Sequence, residues 1–251
     1  MTTQTFNFIL IVWCGMAVVS FLALLFITSP YGRHSQDSWR PFINGTIGWI
    51  LMELPAAIIF AWVYAIGSRP TDFYSIAFLV LWEFHYLHRT FIFAFRRRKM
   101  ARPISLYVVL FSLCFNGFNA FLNSYWINIL SAGYPKEWFL NPMFIVGICL
   151  FFGGFWINFS ADEKLLKLKR QGGGYKVPEG GLYNYITCPN YFGEIVEWFG
   201  FALATLSPAA FAFVLWTLAN LVPRAISHHK WYHSQFSDYP KERKAIFPFL
   251  L

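Results

Sequence analysis

Long apolar stretches recur along the chain and are separated by short polar segments. Seven of them approach the roughly 20 residues that a helix needs to cross a hydrocarbon core about 30 Å thick. We therefore predict seven membrane-spanning helices, of which the last two are short. They cover Asn7–Thr28, Ile43–Ile66, Phe73–Phe95, Ile104–Leu130, Pro142–Phe159, Tyr191–Leu206 and Ala209–Val222.

The composition supports a membrane protein rather than a soluble one. Hydrophobic residues make up 57% of the 251 positions and charged residues only 13%, compared with about 25% charged residues in soluble domains. In a bilayer the backbone polar groups must be satisfied within the chain, which favours helices. We predict an all-α integral membrane protein whose seven transmembrane helices enclose a ligand cavity. Because the chain has no repeat and one long polar insertion, Lys164–Pro189, residues 1–251 are treated as a single domain.

Basic residues are distributed unevenly among the predicted loops. Of the 20 lysines and arginines, only Arg69 and Lys136 fall in loops that follow even-numbered helices, and Arg89 falls within a span. Because loops rich in lysine and arginine stay in the cytosol, the amino terminus is predicted outside and the carboxyl terminus in the cytosol. The net charge of +8 then reflects topology or an anionic cytosolic ligand, and we expect no nucleic-acid partner.

Several ionisable side chains fall inside the predicted spans, where inserting each one costs free energy. Each is therefore either a functional candidate or a group with a structural partner. Glu53, two residues before Pro55, could face a ligand or form an ion pair with Arg89 or a histidine. The ionisable side chains in the spans are Glu53, Glu83, His85, His88, Arg89, Glu194 and Glu197.

The third predicted helix concentrates polar groups between Glu83 and Thr90. Tyr86 could donate its phenolic proton to a substrate carbonyl, or it could be a packed tyrosine whose hydroxyl is satisfied. His85 and His88 are three residues apart, so they share a helix face and could instead bind a metal ion. This density of polar groups predicts a wet or ligand-filled cavity beside the helix.

Further polar residues occur at helical spacing near the cytosolic ends of the last three helices. Arginine and lysine at such a place would bind phosphates, while asparagine, aspartate and glutamate would bind ribose hydroxyls and amides. We therefore predict an elongated polar ligand that enters from the cytosol, although Lys164–Lys176 could equally be a solvated surface. The polar sets are Asn158 with Asp162, then Asn190, Glu194 and Glu197, and finally Arg224, His228 and Tyr232.

Several separated motifs appear together in a specific order. They are Ser29–His34, Glu53–Pro55, His85–Phe91, Asn158 with Asp162, Pro178–Leu182, Asn190–Glu194 and Asp238–Lys244. On these motifs the chain resembles the steroid 5α-reductase family, the 3-oxo-5α-steroid 4-dehydrogenases, which are integral membrane enzymes that use NADPH. The Asn-Tyr-Phe-Gly-Glu motif at Asn190–Glu194 also resembles a wider set of membrane reductases and isoprenylcysteine methyltransferases.

The resemblance implies a reaction and assigns residues to it. The reaction is hydride transfer from NADPH to the β-carbon of a 3-oxo-Δ4 steroid, with Glu53 and Tyr86 hydrogen-bonded to the substrate carbonyl. Donors aimed at that oxygen would stabilise the developing enolate. The family places Gln where Met52 stands, and arginine is common at Lys169 and Lys176. The implied cofactor-binding residues are Asn158, Asp162, Tyr175, Lys176, Asn190, Glu194, Arg224, His228 and Tyr232, with Arg102 and Lys169 as additional phosphate partners.

Three alternatives remain open at the level of sequence. The Asn190–Glu194 motif alone would suit a membrane transferase similar to isoprenylcysteine methyltransferases, and the histidines would suit a metal-dependent oxidase. A non-catalytic sterol-binding protein would use the same cavity. For the favoured reading we expect a steroid-like substrate, surrounding lipid, no metal and no obligate protein partner. The expected location is a bacterial inner membrane, or the endoplasmic reticulum membrane in a eukaryote.

Overall fold

The computed structural model describes residues 1–28, 34, 37–68 and 72–251, and most of them are helical. Residues 29–33 of the predicted Ser29–His34 motif, and the loop residue Arg69, lie outside the described residues. The helices are α1 (Thr3–Phe26), α2 (Gly45–Ala65), α3 (Phe73–Leu87), α4 (Ala94–Arg97), α5 (Leu106–Tyr125), α6 (Pro142–Arg170), α7 (Pro189–Thr205) and α8 (Pro208–Gln235). Strands β1 (Phe42–Ile43) and β2 (Ile104–Ser105) form a short antiparallel ribbon.

Wider π-helical turns continue two of these helices. His88–Phe93 follows α3 and leads into α4, and Trp126–Leu130 follows α5. Short 3₁₀ helices occur at Asp37–Trp39, Arg98–Met100, Lys136–Leu140 and Gly181–Asn184. Turns of π-helix inside longer helices often occur at functional sites, and the first of these, His88–Phe93, overlaps the predicted His85–Phe91 motif.

Five helices in the described part of the chain are long and apolar enough to cross a membrane. They are Thr3–Phe26, Gly45–Ala65, Leu106–Leu130, Pro142–Arg170 and Pro208–Gln235. An all-α membrane protein is therefore confirmed as the fold class. The two remaining predicted spans correspond to α3, which the π-helical turns prolong, and to α7, which has 17 residues.

Two helices continue well beyond the ends that apolarity predicted. Helix α6 runs to Arg170 rather than Phe159, and α8 runs to Gln235 rather than Val222. Apolar length detects only the part of a helix that lies in hydrocarbon, so the polar turns that follow were assigned to loops. Arg224, His228 and Tyr232 consequently lie on α8 itself. Pro223, which has no N–H to donate to the carbonyl of Ala219, precedes this polar end.

Two compact units make up the chain, each with its own packing. The first unit comprises Met1–Thr28 and Pro142–Leu251, and therefore contains α1, α6, α7 and α8. The second comprises Ser29–Asn141, with α2 to α5 and the β-ribbon.

In the first unit, α6 and α7 pack backbone against backbone at glycines. A Cβ atom on Gly193 would lie 2.5 Å from the nitrogen of Asn158, and one on Gly154 would lie 2.6 Å from the carbonyl oxygen of Gly193. Gly147 and Gly200 make the same close approach further along the pair. Small residues allow membrane helices to approach this closely, and the approach brings Asn158 to the start of α7.

In the second unit, α2 is the central helix and its contacts fix the directions of its neighbours. Trp82 of α3 donates to the carbonyl of Ala56, and its ring stacks on Phe60. Asn116 of α5 donates from Nδ2 to the carbonyl of Met52 at 2.6 Å, and Ser124 donates to that of Phe60 at 2.8 Å. The paired numbers rise together for α2 and α5, so these helices are parallel.

The close approach of α6 and α7 predicts a position-specific effect of added volume. Gly154→Ala places a methyl group against backbone and should destabilise the protein by about 1–3 kcal/mol through overpacking. Gly153→Ala is the matched control, because a Cβ atom there meets nothing within 4 Å. Thermal unfolding in detergent, followed by tryptophan fluorescence, should show a lower midpoint for Gly154→Ala only. Equal midpoints for the two variants would contradict the glycine contact.

Candidate functional site

A buried ion pair joins α2 to the turns that follow α3. The Nε atom of Arg89 lies 3.9 Å from Oε1 of Glu53, and both side chains are largely buried. One of the two readings of Glu53 made from the sequence, an ion pair with Arg89, is therefore confirmed. The partner satisfies a charge that would otherwise be expensive in the membrane.

Aromatic rings hold Arg89 in place. Its guanidinium carbon lies 4.9 Å from the ring centroid of Trp49 and 5.2 Å from that of Phe93. Trp49 also donates from Nε1 to the carbonyl oxygen of Arg89 at 3.1 Å, and Arg97 packs on the same indole ring at 4.4 Å. Cation–π contacts of this kind stabilise a partly desolvated guanidinium. These contacts therefore hold the Arg89 side chain in a defined position beside Glu53.

Tyr86 lies at the same level of this unit as Glu53. Trp82 of α3 bonds to Ala56 of α2, and Arg89, further along the chain, pairs with the earlier residue Glu53. The two helices are therefore antiparallel. Glu53 lies one turn before Ala56 on α2, and Tyr86 lies one turn after Trp82 on α3. Because the helices are antiparallel, both residues are displaced in the same direction from the contact between Trp82 and Ala56. Tyr86 is 3% exposed, and its ring centroid lies 5.0 Å from that of Trp82. The helix register thus places the carboxyl of Glu53 and the phenol of Tyr86 at a similar level of the second unit.

The second group of candidate residues lies in the first unit and begins where α6 meets α7. Asn158 donates from Nδ2 to the carbonyl oxygen of Asn190 at 3.0 Å and to Oε2 of Glu194 at 3.3 Å. Asn190 in turn donates from its own Nδ2 to Oδ1 of Asp162 at 3.0 Å. Four residues that the sequence proposed independently from two helices therefore form one hydrogen-bonded network.

A tyrosine hydroxyl extends the group to α8. Arg224 donates from Nε to the hydroxyl of Tyr191 at 2.8 Å, and that hydroxyl lies 3.2 Å from Nε2 of His228. Because the Tyr191 oxygen accepts from Arg224, its own proton is available to His228. Sequence reasoning did not propose Tyr191 as a site residue, although it stands inside the Asn190–Glu194 motif. Its position in that motif was the available signal.

The loop between α6 and α7 is fastened to the end of α6. Lys164 donates from Nζ to the carbonyl oxygens of Glu179 and Gly180, at 2.7 and 2.8 Å. Tyr183 is buried and donates to the carbonyl of Ala161 at 3.3 Å. Burial, and then the carboxylate of Asp162, raise the pKa of Tyr183 well above its ordinary value of 10. The phenol therefore stays protonated and keeps this bond at neutral pH.

The remaining proposed residues have different surroundings. Tyr232 is buried one turn beyond His228 and stacks on Tyr239 at 5.2 Å. Tyr175 contacts Trp231 edge to face at 4.8 Å. Lys169 and Lys176 are exposed, and the amine of Lys176 donates to Gln171 at 3.2 Å.

Arg102 belongs to the second unit, where its backbone carbonyl packs so closely on Gly45 that a Cβ atom there would clash with it. The structure therefore places six of the eleven proposed cofactor residues in two hydrogen-bonded sets, which are joined by the neighbouring residues Asn190 and Tyr191. The six are Asn158, Asp162, Asn190, Glu194, Arg224 and His228.

The chemistry of this network suits a ligand with hydroxyl, amide and phosphate groups. Carboxylates such as Asp162 and Glu194 accept hydrogen bonds from hydroxyls, and asparagine amides can both donate and accept. A guanidinium such as that of Arg224 suits phosphate oxygens. Within the described ranges, no cluster of three or more histidine, cysteine, aspartate or glutamate side chains is arranged to hold a metal ion.

Comparison with known proteins gives a consistent result. A family model described as 3-oxo-5-alpha-steroid 4-dehydrogenase matches residues 102–251. A Solanum lycopersicum protein named steroid 5-alpha-reductase DET2 is 44% identical, and the match covers 98% of this chain and 96% of that protein. A Bos taurus protein named 3-oxo-5-alpha-steroid 4-dehydrogenase 1 is 36% identical, with 95% and 94% covered. The similarity therefore extends over both units.

The hydrogen bonds of Tyr191 predict a loss of stability when its hydroxyl is removed. Tyr191→Phe leaves Arg224 and His228 without this shared partner, which should cost about 1–3 kcal/mol. Tyr185→Phe is the control, because Tyr185 is exposed and lies in the same unit. Thermal unfolding midpoints in detergent should fall for Tyr191→Phe and stay unchanged for Tyr185→Phe. An unchanged midpoint for both would show that the hydroxyl bridge contributes nothing.

Proposed function

Because this chain belongs to the 3-oxo-5-alpha-steroid 4-dehydrogenase family of oxidoreductases, we propose that it reduces 3-oxo-Δ4 steroids to 5α-reduced steroids with NADPH. The supporting observation is 44% identity over nearly the whole length to a protein named steroid 5-alpha-reductase. Two features of the structure agree with this proposal. A phenol and a carboxyl lie at one level of the second unit, and a carboxylate, amide and guanidinium network occupies the first.

The network of the first unit supports the choice of a nicotinamide dinucleotide. We propose that Asp162 and Glu194 bind ribose hydroxyls, that Asn158 and Asn190 bind amide or hydroxyl groups, and that Arg224 binds a phosphate. The other cofactor-binding residues proposed are Tyr175, Lys176, His228 and Tyr232, with Arg102 and Lys169 as further phosphate partners. When bound, NADPH would supply a hydride.

Polarisation of the substrate carbonyl is assigned to Tyr86, with Glu53 as its neighbour. In the ion pair with Arg89, a carboxylate can only accept hydrogen bonds. We therefore propose that Tyr86 donates its phenolic proton to the carbonyl oxygen and that Glu53 orients it. A donor fixed in a water-poor site stabilises the negative charge that develops on oxygen as the β-carbon is reduced. Uptake of a proton at the α-carbon completes the reaction, and we propose water as its source.

Finer features of the protein's membrane setting are part of the same proposal. We propose seven spans that enclose a ligand cavity, with the amino terminus outside and the carboxyl terminus in the cytosol, where basic loops are retained. Residues 1–251 would act as one reductase domain. The membrane would be a bacterial inner membrane, or that of the endoplasmic reticulum in a eukaryote.

The proposed reaction predicts that Tyr86→Phe separates turnover from cofactor binding. Purified protein in detergent, incubated with testosterone or progesterone and NADPH, should consume NADPH and yield the 5α-reduced steroid. Loss of a donor to the developing oxyanion should lower kcat by about 100-fold or more, while NADPH affinity measured by calorimetry stays unchanged. Glu53→Gln should also lose most activity without unfolding.

The matched control for this experiment is Tyr107→Phe, because Tyr107 is exposed on α5 in the same unit. It should retain wild-type kcat. Wild-type kcat in Tyr86→Phe would contradict the role of the phenol. Wild-type protein that binds the steroid but consumes no NADPH would instead favour a sterol-binding protein, or a transferase if it consumed S-adenosylmethionine.

The cofactor assignment predicts weaker NADPH binding when the network is broken. Asn190→Ala, Glu194→Gln and His228→Ala should each raise the NADPH dissociation constant about tenfold, as expected for the loss of one or two hydrogen bonds. Ser160→Ala on the exposed side of α6 is the control and should bind normally. Unchanged affinity in all three network variants would mean that the cofactor binds elsewhere.

A further inference from the structure

A second hydrogen-bonded cluster lies beside the first one, on a neighbouring face of α8. His229 follows His228, and its Nδ1 atom lies 2.6 Å from the hydroxyl oxygen of Thr187. Thr187 is 4% exposed and stands three residues before Asn190. The start of α7 is therefore tied to α8 twice, once through Tyr191 and His228 and once through Thr187 and His229.

The Thr187 hydroxyl is fully used in this cluster. Besides His229, it contacts the hydroxyl of Tyr239 at 2.8 Å and donates to the carbonyl oxygen of Lys244 at 3.1 Å. A hydroxyl has one proton and two acceptor positions. Since the carbonyl can only accept, all three contacts form together when Tyr239 and His229 both donate to Thr187. The cluster thus has a defined direction and requires the Nδ1–H tautomer of His229.

Arg243 completes the cluster from the carboxyl-terminal segment. It is 3% exposed and donates from Nη1 to the hydroxyl of Tyr239 at 3.4 Å and to the carbonyl of Pro178 at 3.2 Å. Burial raises the pKa of Tyr239 above its ordinary value of 10, so the phenol remains protonated and can donate to Thr187. Arg243 also connects the cluster to the loop that Lys164 fastens to α6.

Backbone bonds attach the same segment to the chain just before α7. Lys244 donates from its nitrogen to the carbonyl of Tyr185, and its own carbonyl accepts from the nitrogen of Thr187, both at 2.8 Å. Cys188 then donates to the carbonyl of Ala245 at 3.1 Å. The chain enters α7 at Pro189 directly after these bonds, so the position of Asn190 depends on where the carboxyl-terminal segment lies.

We propose that Thr187, His229, Tyr239 and Arg243, here named the tail clamp, position the cofactor-binding residues Asn190 and His228 without contacting the cofactor. This inference rests on the proposed function of the network. Its members hold the first turn of α7 and the polar end of α8 at a fixed separation. Loosening the clamp should therefore weaken NADPH binding, while the chemical step at saturating NADPH and the affinity for steroid stay the same.

The test compares hydroxyl removal at two buried threonines of the same unit. Thr187→Val should raise the KM and the dissociation constant for NADPH about three- to tenfold, with kcat and steroid KM unchanged. Thr187→Ser, which restores the hydroxyl, should recover wild-type affinity. Thr217→Val is the control, because Thr217 is buried and donates to the carbonyl of Phe213 within its own helix α8. Tyr239→Phe removes the bonds of its hydroxyl with Thr187 and Arg243, and it serves as the test if Thr187→Val does not fold.

The outcomes separate the clamp from the proposed function. NADPH affinity equal to wild type in both Thr187→Val and Tyr239→Phe would overturn the clamp and leave the reductase proposal intact. Affinity that Thr187→Ser fails to restore would also overturn it, because the hydroxyl would not be the cause. Failure of the wild-type protein to bind NADPH would overturn the cofactor assignment and the clamp with it. Weaker binding in Thr187→Val that serine reverses would support the positioning role.

Discussion

Polar groups inside a bilayer must find their partners within the protein, and this constraint accounts for most of the specific contacts in the second unit. The ion pair of Glu53 with Arg89 satisfies two charges at once. Side chains of α3 and α5 also donate to backbone carbonyls of α2, as Trp82 does to Ala56 and Asn116 to Met52. Because such bonds are directional, they fix the register of the three helices. The level shared by Glu53 and Tyr86 is a result of that register.

In the first unit, close packing has the same role that polar bonds have in the second. Glycines at the α6–α7 contact remove the side chains that would keep the two backbones apart. Asn158 can then reach the carbonyl of Asn190 and the carboxylate of Glu194. The polar network is thus a consequence of where glycine occurs in two apolar helices, and the hydrogen bonds add direction to a contact that packing has already made.

Much of this arrangement could be predicted from the sequence, and the parts that could not have physical reasons. Apolar length located the helices, and spacing by three or four residues correctly grouped Asn190 with Glu194 and Arg224 with His228. An ion pair of Glu53 with Arg89 or a histidine was one of two interpretations made from the sequence, in which Arg89 is the only lysine or arginine within a predicted span. Apolarity could not show that α8 continues to Gln235, since turns that carry polar side chains give no such signal. Tyr191 was missed because a tyrosine in an aromatic helix does not stand out by composition.

Proline at position 223 divides α8 into two parts that differ mechanically. The missing N–H leaves one backbone bond of the helix unmade, and sharp bends in helices occur mostly at such residues. Arg224, His228, His229 and Tyr232 all follow it on an uninterrupted helical end. Bending at this position would move those four side chains together, while the buried apolar stretch before it kept its packing inside the first unit.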